Sequence, residues 1–143
     1  MNSRTWLSFA LLGGILLFGL VGAMVLYGYV LAPPNLINLG AVTNYPPGET
    51  PYFVPGKNPV FVVNTGENLL VLVAVPPHPK ACLAKWLSED AKFMDPCLGS
   101  QFWLDGTYIL GPSPRNMDHY KFRIENGELW MDADRKILGE QHP

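Results

Sequence analysis

Several features that carry chemistry in proteins are scarce or missing in this chain of 143 residues. Charged residues make up only 15% of it and the net charge is −2, so the composition gives no sign of a nucleic-acid partner. The sequence shows no phosphate-binding glycine loop, no hydrolase triad and no catalytic pair of carboxylates. These absences argue against an enzyme and against a small-molecule substrate.

Charge is also absent from a long apolar run, residues 6–31. As a helix this run would be about 39 Å long, enough to cross a bilayer core of about 30 Å. A cleaved signal peptide has a shorter apolar region, followed by a cleavage site of small residues. We therefore predict that residues 6–31 form a retained, single-pass membrane anchor with the lipid bilayer as one partner.

Basic residues near this run indicate its orientation. Arg4 is the only one before it, and the next along the chain is Lys57. The positive-inside rule then places residues 1–5 in the cytoplasm and the C-terminal domain outside a bacterial-type inner membrane. Gly19 and Ala23 are small residues at four-residue spacing, which either marks a contact with a neighbouring helix or reflects the usual abundance of such residues in membrane helices.

The next segment, residues 32–58, is rich in proline. Closely spaced prolines prevent a helix and favour extended chain. Two interpretations are open: a hinge that lets the outer domain swing, or a fixed arm or linker that lies on a partner. Its apolar residues, among them Leu36 and Phe53, favour the arm.

Residues 59–143 have the pattern of a small antiparallel β domain. Two β-rich runs, 60–63 and 69–75, predict a hairpin whose second strand is largely buried. Turn pairs at Asp105-Gly106 and Asn126-Gly127 lie between further alternating runs, and the second pair is a strong hairpin signal. The predicted fold class is therefore mostly β, with one N-terminal transmembrane helix.

Two motifs within this domain carry a family resemblance. Residues 95–102, here called the second box, read Asp-Pro-Cys-Leu-Gly-Ser-Gln-Phe, and the proline loop consists of Gly111, Pro112, Ser113, Pro114 and Arg115. They resemble the motifs C-P-C-H-G-S-x-F and G-P-A-P-R of Rieske iron–sulfur proteins, and the resemblance covers residues 58–135. It implies a Rieske-like β domain behind a membrane helix.

The family's first box, C-x-H-x-G-C, is matched more weakly, by residues 77–82. The resemblance places Cys82 and Cys97 at the two disulfide positions of the boxes, which implies a bond between them. A Rieske cluster needs two thiolates on one iron and two imidazoles on the other, so we predict no cluster, no resident metal and no cofactor. The four iron-ligand positions of the family hold other residues: Pro77, Pro79, Asp95 and Leu98.

The former ligand positions allow two arrangements. Asp95 could form an ion pair with Lys92 or Arg115, or Leu98 could form an apolar tip with the neighbouring prolines. His78 and Asp95 together are too few ligands for a replacement zinc site. The remaining histidines are expected to face solvent: His119 and His142.

The favoured function is a non-catalytic accessory subunit of a membrane respiratory or photosynthetic electron-transfer complex, bound to other membrane subunits of that complex. Two alternatives remain open. One is an electron-transfer protein with an atypical metal centre, and the other is an assembly factor for such a complex.

Overall fold

The computed structural model describes residues 3–27 and 34–142. The chain divides into two compact units, and the boundary between them in the sequence follows residue 34. The first contains the helix α1, Ser3–Leu26, whose described side chains, from Gly14 onward, are all exposed. Within the described residues, no helix is long and apolar enough to cross a membrane. The anchor over residues 6–31 stays a prediction, and its last four residues lie outside the described ones.

The second unit is a β domain, which confirms the mostly-β prediction. Its described residues form ten strands: β1 (Leu36–Ala41), β2 (Tyr52–Val54), β3 (Val60–Asn64), β4 (Leu69–Val73), β5 (Lys85–Leu87), β6 (Lys92–Met94), β7 (Gln101–Trp103), β8 (Tyr108–Leu110), β9 (His119–Glu125) and β10 (Glu128–Ile137). One antiparallel sheet has the order β1-β10-β9-β4-β3-β2, and a smaller one has the order β5-β6-β7-β8.

The two turn pairs connect strands as predicted. Asn126 and Gly127 both have positive φ, 53° and 80°, which is the backbone of a tight turn that matches the twist of paired strands. Strands β9 and β10 pair on either side of it, and β7 and β8 pair around Asp105-Gly106.

Segment 32–58 contributes two strands to the larger sheet. Strand β1 pairs with β10 at one edge, and β2 pairs with β3 at the other. Because backbone groups on both strands are hydrogen-bonded in the sheet, the part of this segment from Asn35 onward belongs to the compact β unit.

Strand β3 is buried on both faces. The second strand of the predicted hairpin, β4, is buried at Val71 and Leu72 and half-buried at its other residues. Val60 and Val62 pack into one apolar cluster of the larger sheet. Phe61 and Val63 point the other way and pack against residues of the smaller sheet, including Phe93. The alternation of side chains along a strand therefore lets β3 serve two cores.

The smaller sheet positions the three motifs. The first box lies in the connection from β4 to β5, the second box begins directly after β6 and ends in β7, and the proline loop lies between β8 and β9. Phe93 in β6 and Phe102 in β7 are fully buried. The loops that follow these strands are thus anchored on a rigid core.

Candidate functional site

A disulfide bond between Cys82 and Cys97 joins the first and second boxes, as the resemblance implied. The proline loop packs directly on the second box. A Cβ atom at Gly111 would lie 2.5 Å from the Cα of Ser100, and Gly111 has a φ of +108°. Both observations require glycine at this position, since any side chain would force the two loops apart.

Asp95, at a former ligand position, is fully buried beside the disulfide. Its Oδ1 accepts backbone N–H bonds from Cys82 at 3.1 Å and from Cys97 at 2.9 Å. Its own N–H donates to the carbonyl of Ser100 at 2.8 Å. The carboxylate therefore holds both cysteine backbones in place.

The second oxygen of the Asp95 carboxylate, Oδ2, accepts no hydrogen bond. Among the buried side-chain atoms of the described residues, only Asp95 Oδ2 and Trp86 Nε1 have no hydrogen-bond partner. A buried polar atom without a partner costs about 1–3 kcal/mol. The site therefore retains one acceptor whose binding capacity is unused.

Of the two arrangements that the sequence allowed, the ion pair of Asp95 with Lys92 or Arg115 is wrong. Lys92 pairs with Asp90 at 3.1 Å, and Arg115 pairs with Asp118 at 2.9 Å. The folding of the two boxes surrounds Asp95 with backbone N–H groups, and both cations have acidic partners elsewhere.

The other three predicted ligand positions are less buried than Asp95. Pro77 and Leu98 are half-buried and Pro79 is exposed, and the apolar tip stays a prediction. The Nδ1 of His78 lies 2.5 Å from the carbonyl oxygen of Pro79, its neighbour in the chain.

The proline loop is held by hydrogen bonds within the loop and to neighbouring segments. The N–H of Ser113 donates to Ser100 Oγ at 3.1 Å, which ties the loop to the second box. The Ser113 hydroxyl donates to the carbonyl of Arg115 at 2.9 Å, and the Tyr108 hydroxyl donates to that of Gly111 at 2.6 Å. Ser113 is buried, so its two bonds satisfy polar groups that water does not reach.

Arg115 at the end of the proline loop forms a two-point contact with the buried Asp118, at 2.9 and 3.0 Å. Lys136 lies 3.3 Å from the same carboxylate, and the N–H of Gly139 donates to it at 3.0 Å. Burial raises the pKa of Asp118, but the hydrogen bonds from Arg115 and Gly139 and the nearby positive charges lower it more, so it lies below its usual value. The same hydrogen bond raises the pKa of Arg115.

Residues 138–142, here called the C-terminal segment, cover the proline loop. The N–H of Asn116 donates to the carbonyl of Glu140 at 3.0 Å. The ring of His142 stacks on Tyr108 with 3.7 Å between centroids, and its Nε2 lies 2.6 Å from the carbonyl oxygen of Ser113. His142 is half-buried, so the expectation that it would face solvent is wrong. His119 is half-buried too, in β9.

Sequence reasoning missed this network because its members are far apart in the chain. Asp118 follows Arg115 by three residues, and that spacing was a usable signal. Lys136, Gly139 and His142 carried no signal of their own, since only the path of β10 brings them to the loop.

These residues do not fit the Rieske cluster. Such a cluster needs two thiolates and two imidazoles. Pro77, Pro79 and Leu98 offer no side-chain donor atom, and Asp95 offers a carboxylate where the cluster requires a thiolate or an imidazole. The disulfide engages both cysteines that the sequence contains.

Two antiparallel sheets, two disulfide-linked loops and a proline loop packed on them define the Rieske fold. The structure is similar to the cyanobacterial plasma membrane Rieske protein of Synechocystis PCC 6803, with a TM-score of 0.51, 23% identity and coverage of 68% of this chain and 99% of that one. It is also similar to a chain of a hyperthermophilic respiratory Complex III, with a TM-score of 0.50, 22% identity and coverage of 86% and 97%. The chain is therefore a Rieske-fold protein, as its motifs predicted.

Sequence relatives agree with this assignment, although no family model matches the chain. It is 32% identical over 107 residues to the cytochrome b6-f complex iron–sulfur subunit of Chlorobaculum thiosulfatiphilum, which is 71% of this chain and 59% of that protein. It is 31% identical over 95 residues to the subunit of the same name from Chlorobaculum tepidum, of which it covers 52%. The chain thus spans little more than half the length of these relatives.

Proposed function

We propose that this protein is a non-catalytic accessory subunit of a membrane electron-transfer complex of the cytochrome b6-f type, and that it carries no iron–sulfur cluster. The likeness to iron–sulfur subunits supports the kind of complex. The substituted ligand positions support the loss of electron transfer, because no iron ligand of the Rieske type remains at them.

The environment of Asp95 carries this proposal. A side chain that had only lost a ligand role would have no defined partner. Asp95 instead accepts the N–H groups of Cys82 and Cys97, so the boxes keep their geometry without a metal. A fold that is maintained where its chemistry is missing is best explained by binding to other subunits.

We further propose that residues 6–31 anchor the chain in the membrane, with the N-terminus cytoplasmic and the β domain extracytoplasmic. The absence of charge over this run supports the anchor. Gly19 and Ala23 are proposed to contact a helix of a partner subunit. A Cβ atom at Gly19 would have no neighbour within 4 Å in the described residues, which leaves that position open to close packing.

The proposal is tested by purifying the full chain from its native membrane in mild detergent. We expect it to migrate on a native gel with other membrane subunits, identified by mass spectrometry. The separated subunit should contain no stoichiometric iron and give no Rieske-type paramagnetic resonance signal when reduced. A Rieske subunit purified in parallel is the positive control.

A variant with Gly19→Leu and Ala23→Leu should leave the complex, because bulky side chains block close helix packing. The matched control carries Leu17→Ile and Val21→Leu, which have the same spacing and change little bulk. Migration of the wild type as a lone monomer would refute the subunit role. A stoichiometric Rieske signal would refute the loss of the cluster.

A further inference from the structure

Three potential metal ligands converge where the two boxes meet. The donor atoms of Cys82, Asp95 and Cys97 all lie within 4.8 Å of one another, and no other group of three such residues does so in the described part of the chain. Asp95 is fully buried and Cys97 is exposed, so the group reaches from the interior to the surface.

Asp95 has capacity for a further partner at this point. Its Oδ1 is fixed by two N–H bonds, while Oδ2 is buried without a partner. A buried carboxylate oxygen is stabilised by a cation or by a hydrogen-bond donor. The sulfur atoms of Cys82 and Cys97 lie within 4.8 Å of a carboxylate oxygen of Asp95, so a cation held by them is within reach of this carboxylate.

In the disulfide, neither sulfur is available as a thiolate. Reduction changes this: a dithiol reductant transfers two electrons and two protons, its own sulfurs close to a disulfide, and Cys82 and Cys97 become thiols. On metal binding both thiols release their protons to solvent, because thiolates are the ligands. We propose that the reduced protein binds one Zn²⁺ through Cys82, Asp95 and Cys97.

The geometry suits this ion. Zinc bonds to sulfur at about 2.3 Å, so tetrahedral coordination places two thiolates about 3.8 Å apart. The two cysteine Cα atoms are 5.6 Å apart, close enough for both side chains to reach one ion. Three protein ligands leave one position for water, and the exposure of Cys97 provides access for it. Thiolates disfavour Mg²⁺ and Ca²⁺.

This site would exist only after reduction, so it is compatible with a metal-free protein in the oxidised state. It requires no partner subunit and no iron, and its failure would leave the proposed function untouched.

The test is a Zn²⁺ titration of the full chain in mild detergent against a chromophoric chelator. One sample stays oxidised and the other is reduced with a phosphine, which takes an oxygen atom from water and becomes the phosphine oxide while the two sulfurs take up the protons of that water. We expect one Zn²⁺ per reduced chain and none per oxidised chain, with no binding of Mg²⁺ by either. Absence of Zn²⁺ binding by the reduced wild type would overturn the proposal.

The variant Asp95→Asn isolates the carboxylate, because its amide oxygen can still accept the two N–H bonds. Outer partners of a zinc site typically contribute about 10- to 100-fold to metal affinity, so losing a direct ligand should weaken binding at least as much. The matched control is Asp105→Asn, since Asp105 also accepts a backbone N–H, at an exposed turn away from the boxes. Equal affinity of Asp95→Asn and wild type would exclude Asp95 as a ligand.

A second measurement guards against misfolding of the variant. Zn²⁺ should slow alkylation of Cys97 in the reduced wild type and in Asp105→Asn, but not in Asp95→Asn. Peptide mapping of the oxidised Asp95→Asn protein must first show an intact disulfide. Protection of Cys97 in Asp95→Asn equal to that in wild type would also overturn the role of the carboxylate.

Discussion

The box region and the proline-loop region each contain a buried carboxylate, and the two carboxylates are stabilised by different groups. In the box region, Asp95 is buried with two backbone N–H donors on one oxygen and none on the other, beside a disulfide. In the proline-loop region, Asp118 is buried with two cations and a backbone N–H. The first region is held by a covalent bond and the second by charge.

The comparison distinguishes a carboxylate with a structural role from one that has an oxygen without a hydrogen-bond partner. Asp118 is fully compensated by Arg115, Lys136 and Gly139, so its charge stabilises the fold where the C-terminal segment covers the proline loop. Asp95 has no cationic partner among the described residues. The box region therefore depends on its disulfide, and its carboxylate keeps an oxygen free for a further ligand.

The largest effect is expected from removal of the disulfide. Cys97→Ser should lower the free energy of unfolding by about 2 to 4 kcal/mol, because the unfolded chain loses a cross-link across 15 positions. Chemical denaturation under non-reducing conditions measures it. Reduction of the wild type is the control and should give a similar loss of stability. Peptide mapping that finds both thiols free would contradict the bond itself.

A smaller loss of stability is expected when the charge of Asp118, in the proline-loop region, is removed. Asp118→Asn should cost about 2 kcal/mol at neutral pH, since hydrogen bonds to a charged group are worth about 1.5–3 kcal/mol each and part of them remains. The effect must also depend on pH. The pKa of Asp118 is lowered in the folded state, so its contribution is present above the unfolded value of about 3.9 and is lost as pH falls through the folded value.

Denaturation curves between neutral and acidic pH check this sign. The stability difference between wild type and Asp118→Asn should shrink as the pH falls below about 4. Glu67→Gln, in the exposed turn after β3, is the matched control and should follow the wild type. A difference that stays constant across this range would show that Asp118 acts by packing and not by charge.

The smallest effect on the free energy of unfolding is expected at Asp95. It tests directly whether the two buried carboxylates differ in their contribution to stability. Asp95→Asn keeps an oxygen for the N–H groups of Cys82 and Cys97 and removes a buried charge that has no cationic partner. We expect a change within about 1 kcal/mol in either direction in the oxidised protein. Thermal or chemical denaturation next to Asp118→Asn measures it. A loss as large as that of Asp118→Asn would mean that Asp95 is a compensated structural charge after all.

Much of the fold was predictable from local patterns. Asn126-Gly127 specifies its hairpin because both residues tolerate positive φ. The second box and the proline loop indicated the Rieske fold and the disulfide because their glycines, prolines and cysteines are needed by the backbone. The proline-rich segment 32–58 was harder to interpret, since an extended chain has the same sequence pattern whether it is a linker or an edge strand.

By itself, the sequence determined the mostly-β fold class through its turn chemistry, and its resemblance to the Rieske motifs implied the pairing of Cys82 with Cys97, because turns and motifs are properties of short segments. Only the tertiary structure decided the partners of the buried carboxylates. Asp95 accepts backbone N–H groups because the two boxes come together around it. Asp118 contacts two cations because the end of β10 lies beside the proline loop. The contact of Asp118 with Gly139 joins residues 21 positions apart in the chain, and no local pattern encodes it.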